Sequence, residues 1–473
     1  MERFDAIVIG AGEAGTEVAS RAVEAGKRVA LVYRPPFGST CLNTGCVPSK
    51  FLIHRARVAH VARTAARFHV VADPPRVELG AIIREKTAMI EQHRAHSLAE
   101  AREAEGLELV EGSARFASPR EVVVGSRRLG ADRIFIATGL RPARPKIPGL
   151  DSAGALNSES LMELRSIPAR LVVLGGGYVA CELGQALRRF GAEVVIVQTR
   201  AHLLPHEEPD VSTVLERAFH AEGIELVLGC RPVRVSRSAG GVRIVARARG
   251  GRERIIEGSH LLVATGRVPN TGSLDLSAAG VATDAKGHVK VDAQLRTAAR
   301  GIWAIGDVNG RQPFTRVCQE EGKVAFANAF QGKRLTIQRA SLGHAVFTDP
   351  EIGSVGLTEG AARAQGLEVA ASLVTFDQVE RARLMGETAG LIKFVVDRSD
   401  RRILGCHVIG PGAAELVYSV TVLMRQRGRI DQLGKAVGIF PTLQEGIEGT
   451  ARSVWRGLTP DEARGPLVAA RSS

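Results

Sequence analysis

Along the chain, unbroken apolar runs of a few residues alternate with longer stretches in which apolar residues return every three or four positions. Runs of the first kind, bounded by glycine, predict strands buried on both faces, and the second kind predicts helices packed on them. From Phe4 to Tyr33 the order is strand (FDAIVIG), glycine turn (GAGEAG), Ala-rich helix and strand (KRVALVY). That is a βαβ unit. The same order returns as ARLVVLG, GGGYVA, CELGQALRRFG and AEVVIVQ between Ala169 and Gln198. Two such units predict two dinucleotide-binding modules in an α/β protein.

Between the two units lie a helical stretch over about 47–105, a β-rich passage, and the strand RIFIATG ending at Gly139. After the second unit come SHLLVATGR and GIWAIGD, the latter ending at Asp307. The first module is therefore read as interrupted by the second. From about 340 the strands and helices carry no glycine fingerprint, which predicts a third, α+β domain. The expected division is 1–150 with 271–338, then 151–270, then 339–457, with a loose tail over 458–473.

Composition narrows the class. With 473 residues, 45% of them hydrophobic, the chain can bury several cores. No apolar run reaches membrane-spanning length, and MERFDAIVIG enters a strand directly, so a cytoplasmic protein is expected. The net charge of +13 raises nucleic-acid binding as a question. Arginine is spread along the chain and aromatics make up only 4%, so little is available for base stacking and no nucleic-acid partner is expected. The densest basic run, His54 to Arg67, reads as a solvated helix face. His93 and His96 lack a third ligand, and no resident metal site is expected.

The glycine fingerprints are where chemistry enters. Gly10, Gly12 and Gly15 form GxGxxG between a strand and a helix, and Gly175, Gly177 and Ala180 form GxGxxA. Such turns let the backbone approach a pyrophosphate and set it at a helix N-terminus. A carboxylate normally ends the second strand and holds the ribose. Here those positions are Tyr33 and Gln198, both neutral. With Arg200 nearby, the second site leans towards NADPH, NADH being the alternative.

Six cysteines are too few and too scattered for a disulfide scaffold, but Cys41 and Cys46 sit together in GSTCLNTGCVPSK. Residues i and i+5 of a regular helix point apart, so a bond between these two requires a distortion. Gly45 supplies that freedom, and Pro48 suits the first turn of a following helix. A thiol at a helix start has its thiolate stabilised, as redox chemistry needs. A zinc half-site would lack its second cysteine pair, and two inert core thiols are the remaining alternative. Cys181 reads as a small core residue.

Taken with ATG at 137–139, GGGYVACELG at 175–184, ATGRVPN at 264–270, AIGD at 304–307, FTDPEIGSVGLTE and LGCHVIG, the cysteine segment resembles the FAD-dependent pyridine nucleotide-disulfide oxidoreductases. The match runs from about residue 4 to 450. The resemblance implies FAD on the first module, NAD(P)H on the second, and a homodimer whose active sites are completed by the partner's C-terminal domain. It places Gly10, Gly12, Gly15, Tyr33, Thr40, Lys50, Ala114, Thr138, Gly139, Asp307 and Thr315 among the cofactor-binding residues. Gly175, Gly177, Tyr178, Glu182, Gln198, Arg200, Val233 and Gly266 complete that set. The implied relay runs from NAD(P)H to FAD, then to a redox-active Cys41/Cys46 disulfide. Cys46 is its flavin-side sulfur and Cys41 the outward thiolate. Tyr178 is the implied nicotinamide gate, and Glu182 the partner of Lys50.

One departure bears on the acceptor. Disulfide reductases of this family carry His-Pro-Thr-x-x-Glu near the C-terminus. Here the segment is Phe440-Pro-Thr-Leu-Gln-Glu445. Phenylalanine cannot move a proton, whereas Glu445 is retained. Mercuric reductase also has Phe-Pro at this point, so a mercuric reductase-like enzyme with a metal-ion or other small-molecule, non-disulfide acceptor is expected. LVAARSS lacks the cysteine pair with which that enzyme captures metal. The alternatives are a dihydrolipoamide dehydrogenase-like or other small-disulfide reductase, and a poorly active redox-sensing flavoprotein.

Overall fold

A computed structural model describes residues 1–458, so of the expected tail only Leu458 falls within it. The chain opens with β1 (Ala6–Ile9), α1 (Glu13–Glu24) and β2 (Val29–Tyr33), every residue of both strands being buried. The long helical stretch resolves into α2 (Thr40–Thr44), α3 (Cys46–Thr64) and α4 (Leu79–Glu103). Next come β3 (Leu107–Glu111) and β4 (Ile134–Ile136). Helix α1 buries Ala14, Gly15, Val18, Ala19 and Ala22 as one stripe. Its contact with the sheet is so close that a Cβ on Gly15 would lie 1.9 Å from the Gly10 carbonyl oxygen.

The second unit repeats the plan with β5 (Arg170–Leu174), α5 (Tyr178–Phe190), β6 (Glu193–Val197), α6 (Pro209–Ala221), β7 (Glu225–Val227) and β8 (His260–Val263). Its sheet is parallel, in the order β7-β6-β5-β8. The chain then returns to the first unit. Strand β9 (Ile302–Ala304) pairs in parallel with β4, completing the order β9-β4-β1-β2-β3. Helix α7 (Thr315–Phe330) packs along α1. Both sheets are covered on two faces, which is why their strands read as continuous apolar runs rather than alternating ones. Each fully buried Val, Leu or Ile side chain contributes about 1.5–3 kcal/mol.

The third unit is an antiparallel sheet of β10 (Gly343–Val346), β11 (Ile352–Gly356), β12 (Val369–Thr375), β13 (Leu391–Asp397) and β14 (Ile403–Ile409). Their order is β10-β11-β14-β13-β12, with α8 (Ala413–Arg425) and α9 (Gln444–Leu458) packed on the sheet. A buried ionic joint ties this sheet to the second unit. Lys393 of β13 lies 3.0 Å from Glu208, 2.9 Å from Asp210 and 3.0 Å from Glu359. Among the described residues no helix is long and apolar enough to cross a membrane.

Candidate active site

Helix α2 begins where the Ser39 hydroxyl accepts the Leu42 amide at 3.1 Å. It stops after five residues at Gly45, whose φ of −126° and ψ of −116° break the helix, and α3 restarts at once with Cys46. A Cβ at position 45 would sit 2.8 Å from the Thr40 carbonyl oxygen. The break turns both sulfurs towards the first residue of α7. Thr315 Oγ1 donates to Cys41 Sγ at 3.3 Å and lies 3.7 Å from Cys46 Sγ.

Both thiols are free in this structure. The hydrogen bond from Cys41 draws Cys46 down to about 6, helped by Thr315 and by the charge of Lys50, against the effect of burial and of Glu182. Cys41 is pushed up by that same bond, by burial and by the negative charge on Cys46. The dithiol therefore carries its anion on Cys46, at the N-terminus of α3, and its proton on Cys41. The thiolate implied for the outward sulfur is thus a thiol in the resting reduced pair.

One turn after Cys46, Lys50 reaches across to α5. Its Nζ donates to both Glu182 oxygens, at 3.0 and 2.8 Å, and the Glu182 side chain is 4% exposed. The C-terminal sheet braces this pair. The Phe347 amide donates to Glu182 at 2.9 Å, and the Phe347 ring lies 4.6 Å from Lys50 Nζ. Tyr178, one turn before Glu182, has its ring 6.4 Å from that of Phe314. The Phe314 ring stacks on His344 at 5.0 Å, and His344 is bonded to Glu207 at 2.5 Å. Three units of the chain thus converge on two sulfurs.

Two cavities flank this centre. The first, about 760 Å³, is lined by Gly10, Gly12, Tyr33, Thr40, Ala114, Thr138 and Gly139. Gly10 adopts a φ of +115°, open to glycine alone without strain. Thr138 Oγ1 is buried with no hydrogen-bond partner among the described residues, as expected of a hydroxyl that binds a ligand. The second, about 820 Å³, is lined by Gly175, Gly177, Tyr178, Gln198, Arg200, Arg231 and Gly266. Each lies at the C-terminal edge of a parallel sheet, before a helix N-terminus, and is large enough for a dinucleotide.

The family model described as pyridine nucleotide-disulphide oxidoreductase matches residues 4–322, and that of the family's dimerisation domain matches 343–451. The chain belongs to the pyridine nucleotide-disulphide oxidoreductases. As a member of that family it is an FAD flavoprotein and an oxidoreductase that uses NAD(P)H, and its matched dimerisation domain supports a homodimer. It is 34% identical over 445 residues to the mercuric reductase of Bacillus cereus, spanning 94% of this chain and 70% of that protein. It is also 34% identical to the dihydrolipoyl dehydrogenase of Thermus scotoductus, spanning 96% and 98%. Among solved structures, the Cu(II) complex of the HOCl-induced flavoprotein disulfide reductase RclA of Escherichia coli aligns with a TM-score of 0.85 at 27% identity, covering 96% of this chain and 100% of that one.

Not every anticipated residue of this oxidoreductase joins its centre. Asp307 follows β9 and accepts a bond from Cys318 at 3.2 Å, and burial pushes its carboxyl up. Tyr33 lines the first cavity, but its hydroxyl donates to Glu111 at 3.0 Å. Gln198 is buried, and its side-chain oxygen accepts the Thr199 amide at 2.7 Å, bracing the loop that carries Arg200. Val233 falls at an irregularity in its strand, and its neighbours Arg231 and Pro232 line the second cavity instead. Glu445 lies on α9 with one oxygen buried and unpartnered among the described residues; no hydrogen bond joins it to the cysteines within the chain. Phe314, His344 and Phe347 went unnoticed in the sequence because only the third unit's packing brings them in. Glu13 could have been noticed as a charge inside GAGEAG.

Proposed function

We propose that this oxidoreductase passes electrons from NADPH through FAD and the Cys41/Cys46 pair to a metal ion or another non-disulfide acceptor, as its mercuric reductase relatives are named for doing with mercury. When bound, FAD supplies the two-electron exchange between nicotinamide and disulfide. The remaining steps belong to the chain. Two electrons and one proton open the S–S bond, leaving Cys46 as thiolate and Cys41 as thiol. Lys50 stabilises that thiolate and is itself fixed by Glu182. Tyr178 lines the second cavity and would cover a nicotinamide bound there. When the sulfurs re-form their bond, both electrons go to the acceptor at Cys41 and the proton is released.

The observation that carries the choice of acceptor is Phe440. It stands 74% exposed beside Val437 and Ile439, in the segment that precedes α9. A side chain with no titratable group there supports an acceptor whose reduction needs no proton donated to a leaving thiol. Arg200 and Arg231 in the second cavity support NADPH, since guanidinium groups suit a 2′-phosphate. A second reading, a small-disulfide reductase, is favoured by Glu445, whose unpartnered oxygen could serve a group on the partner subunit.

An anaerobic titration with NADPH and NADH, followed by turnover with Hg(II), lipoamide, oxidised glutathione and quinones, separates them. The proposal expects NADPH to reduce the enzyme at lower concentration than NADH, long-wavelength thiolate-to-flavin absorption, and turnover with Hg(II) or quinone above that with either disulfide. Fast lipoamide turnover, raised further by Phe440→His, would establish the second reading in its place.

A further inference from the structure

The two cofactor cavities and a third groove differ in the sign of their charge. Arg34 and Arg141 line the first cavity with one carboxylate, Glu159; Arg200, Arg231, Arg267 and Lys286 line the second. The third, about 480 Å³, runs between α1 and α4 and closes against Ser39 and Leu42, on either side of Cys41. It carries Glu13, Glu24 and Glu100 and no Lys, Arg or His, in a chain whose net charge is +13.

Glu13 is the carboxylate whose charge acts on Cys41. It follows Gly12 as the first residue of α1, the helix end at which the pyrophosphate of FAD would lie, so its charge must turn away from that anion. Two neutral donors turn it. Ser39 Oγ donates to one oxygen at 2.8 Å and Gln319 Nε2 to the other at 2.9 Å. Both donors adjoin Cys41: Ser39 is two residues before it, and Gln319 lies one turn along α7 from Thr315, which bonds its sulfur. Residues four apart share a helix face at about 5–6 Å. Glu13 and Cys41 therefore sit side by side on α7, and the two donors hold the carboxylate without cancelling its charge. The negative field of Glu13 also helps keep the proton on Cys41.

We propose that Glu13 is a specificity-determining residue that favours positively charged acceptors at Cys41 over negatively charged ones. This rests on the reading of Cys41 as the outward sulfur. Two donors do not make a cage, and among the described residues no group of three or more His, Cys, Asp and Glu side chains could hold a metal ion. The arrangement attracts a cation to the sulfur without retaining it.

The test uses the FAD-loaded Cys46→Ser enzyme, whose Cys41 has no second sulfur to displace the label, and two methanethiosulfonates, one bearing a trimethylammonium and one a sulfonate. Each reacts alike: Cys41 gives its proton to solvent, its thiolate attacks, a mixed disulfide forms and methanesulfinate leaves. Peptide mass mapping gives the rate at Cys41. A unit charge about 6 Å away in water predicts a cation-to-anion rate ratio about tenfold above that of free cysteine. Glu13→Gln should abolish that excess while leaving FAD content unchanged. With Glu13 in place, raising the ionic strength from about 0.01 M to about 1 M should compress the ratio. A ratio untouched by both salt and Glu13→Gln overturns the proposal. A Cys41 that takes no label from either reagent would instead overturn the reading that this sulfur faces outward.

Discussion

Lys50 and Lys393 are both amines paired with a buried carboxylate, Glu182 and Glu208, yet the surroundings give them different work. Lys393 faces three carboxylates, and its side chain is 10% exposed. Burial alone would lower its pKa, but the hydrogen bonds it donates to Asp210, Glu208 and Glu359 override this and raise it. Lys50 has one partner and is 31% exposed. A surplus of negative charge commits Lys393 wholly to joining the second unit to the third. A one-to-one pair leaves Lys50 with a field that still reaches a third group, and that group is Cys46. Similar ionic chemistry serves as a rivet in one place and as a tuning element in the other.

Removing each amine should separate these roles. Lys393→Met leaves Glu208, 1% exposed, without its cation, and breaking such a buried pair costs about 3–5 kcal/mol. Urea unfolding should show that loss while the acidity of Cys46 stays near 6; an unchanged midpoint would break the comparison.

Lys50→Met should do the reverse. The thiolate of Cys46 exists above its pKa and disappears below it, and Lys50 lowers that pKa, so its removal should raise it. A rise of about one unit, ~1.4 kcal/mol, would leave roughly half the thiolate at pH 7. Thiolate ultraviolet absorbance of the reduced protein against pH checks this, and Glu182→Gln should move the curve the opposite way. Thr315→Val tests the other contribution. Losing its hydrogen bond, worth about 0.5–1.5 kcal/mol, should raise the Cys46 midpoint by an amount comparable with Lys50→Met.

What was legible in the sequence is what one short segment determines by itself. Gly10, Gly15 and Gly45 stand where the backbone passes too close to another carbonyl for a side chain, so their spacing carries the turn and the break in the helix. The cysteines and Lys50 follow along the same stretch. Contacts closed by distant segments left no such trace. Tyr33 and Glu111 meet because β2 and β3 are in register, 78 residues apart. Phe347 reaches Glu182 across 165 residues. Gln198, expected at a ribose, was drawn into its own loop by the Thr199 amide. Glu13 was visible as a charge, but its direction was set by Gln319, 306 residues on.

One hydroxyl lies within reach of both sulfurs, and it belongs to the first residue of a sixteen-residue helix. Its single proton can face only one sulfur at a time. Oxidation therefore changes what the head of α7 is fastened to, and the amides there have no partner within the helix to steady them. The oxidation state of the sulfurs should thus be written into amide-exchange rates at the start of α7. It would be readable in a peptide that contains neither cysteine, in the dark, with no colour change to follow.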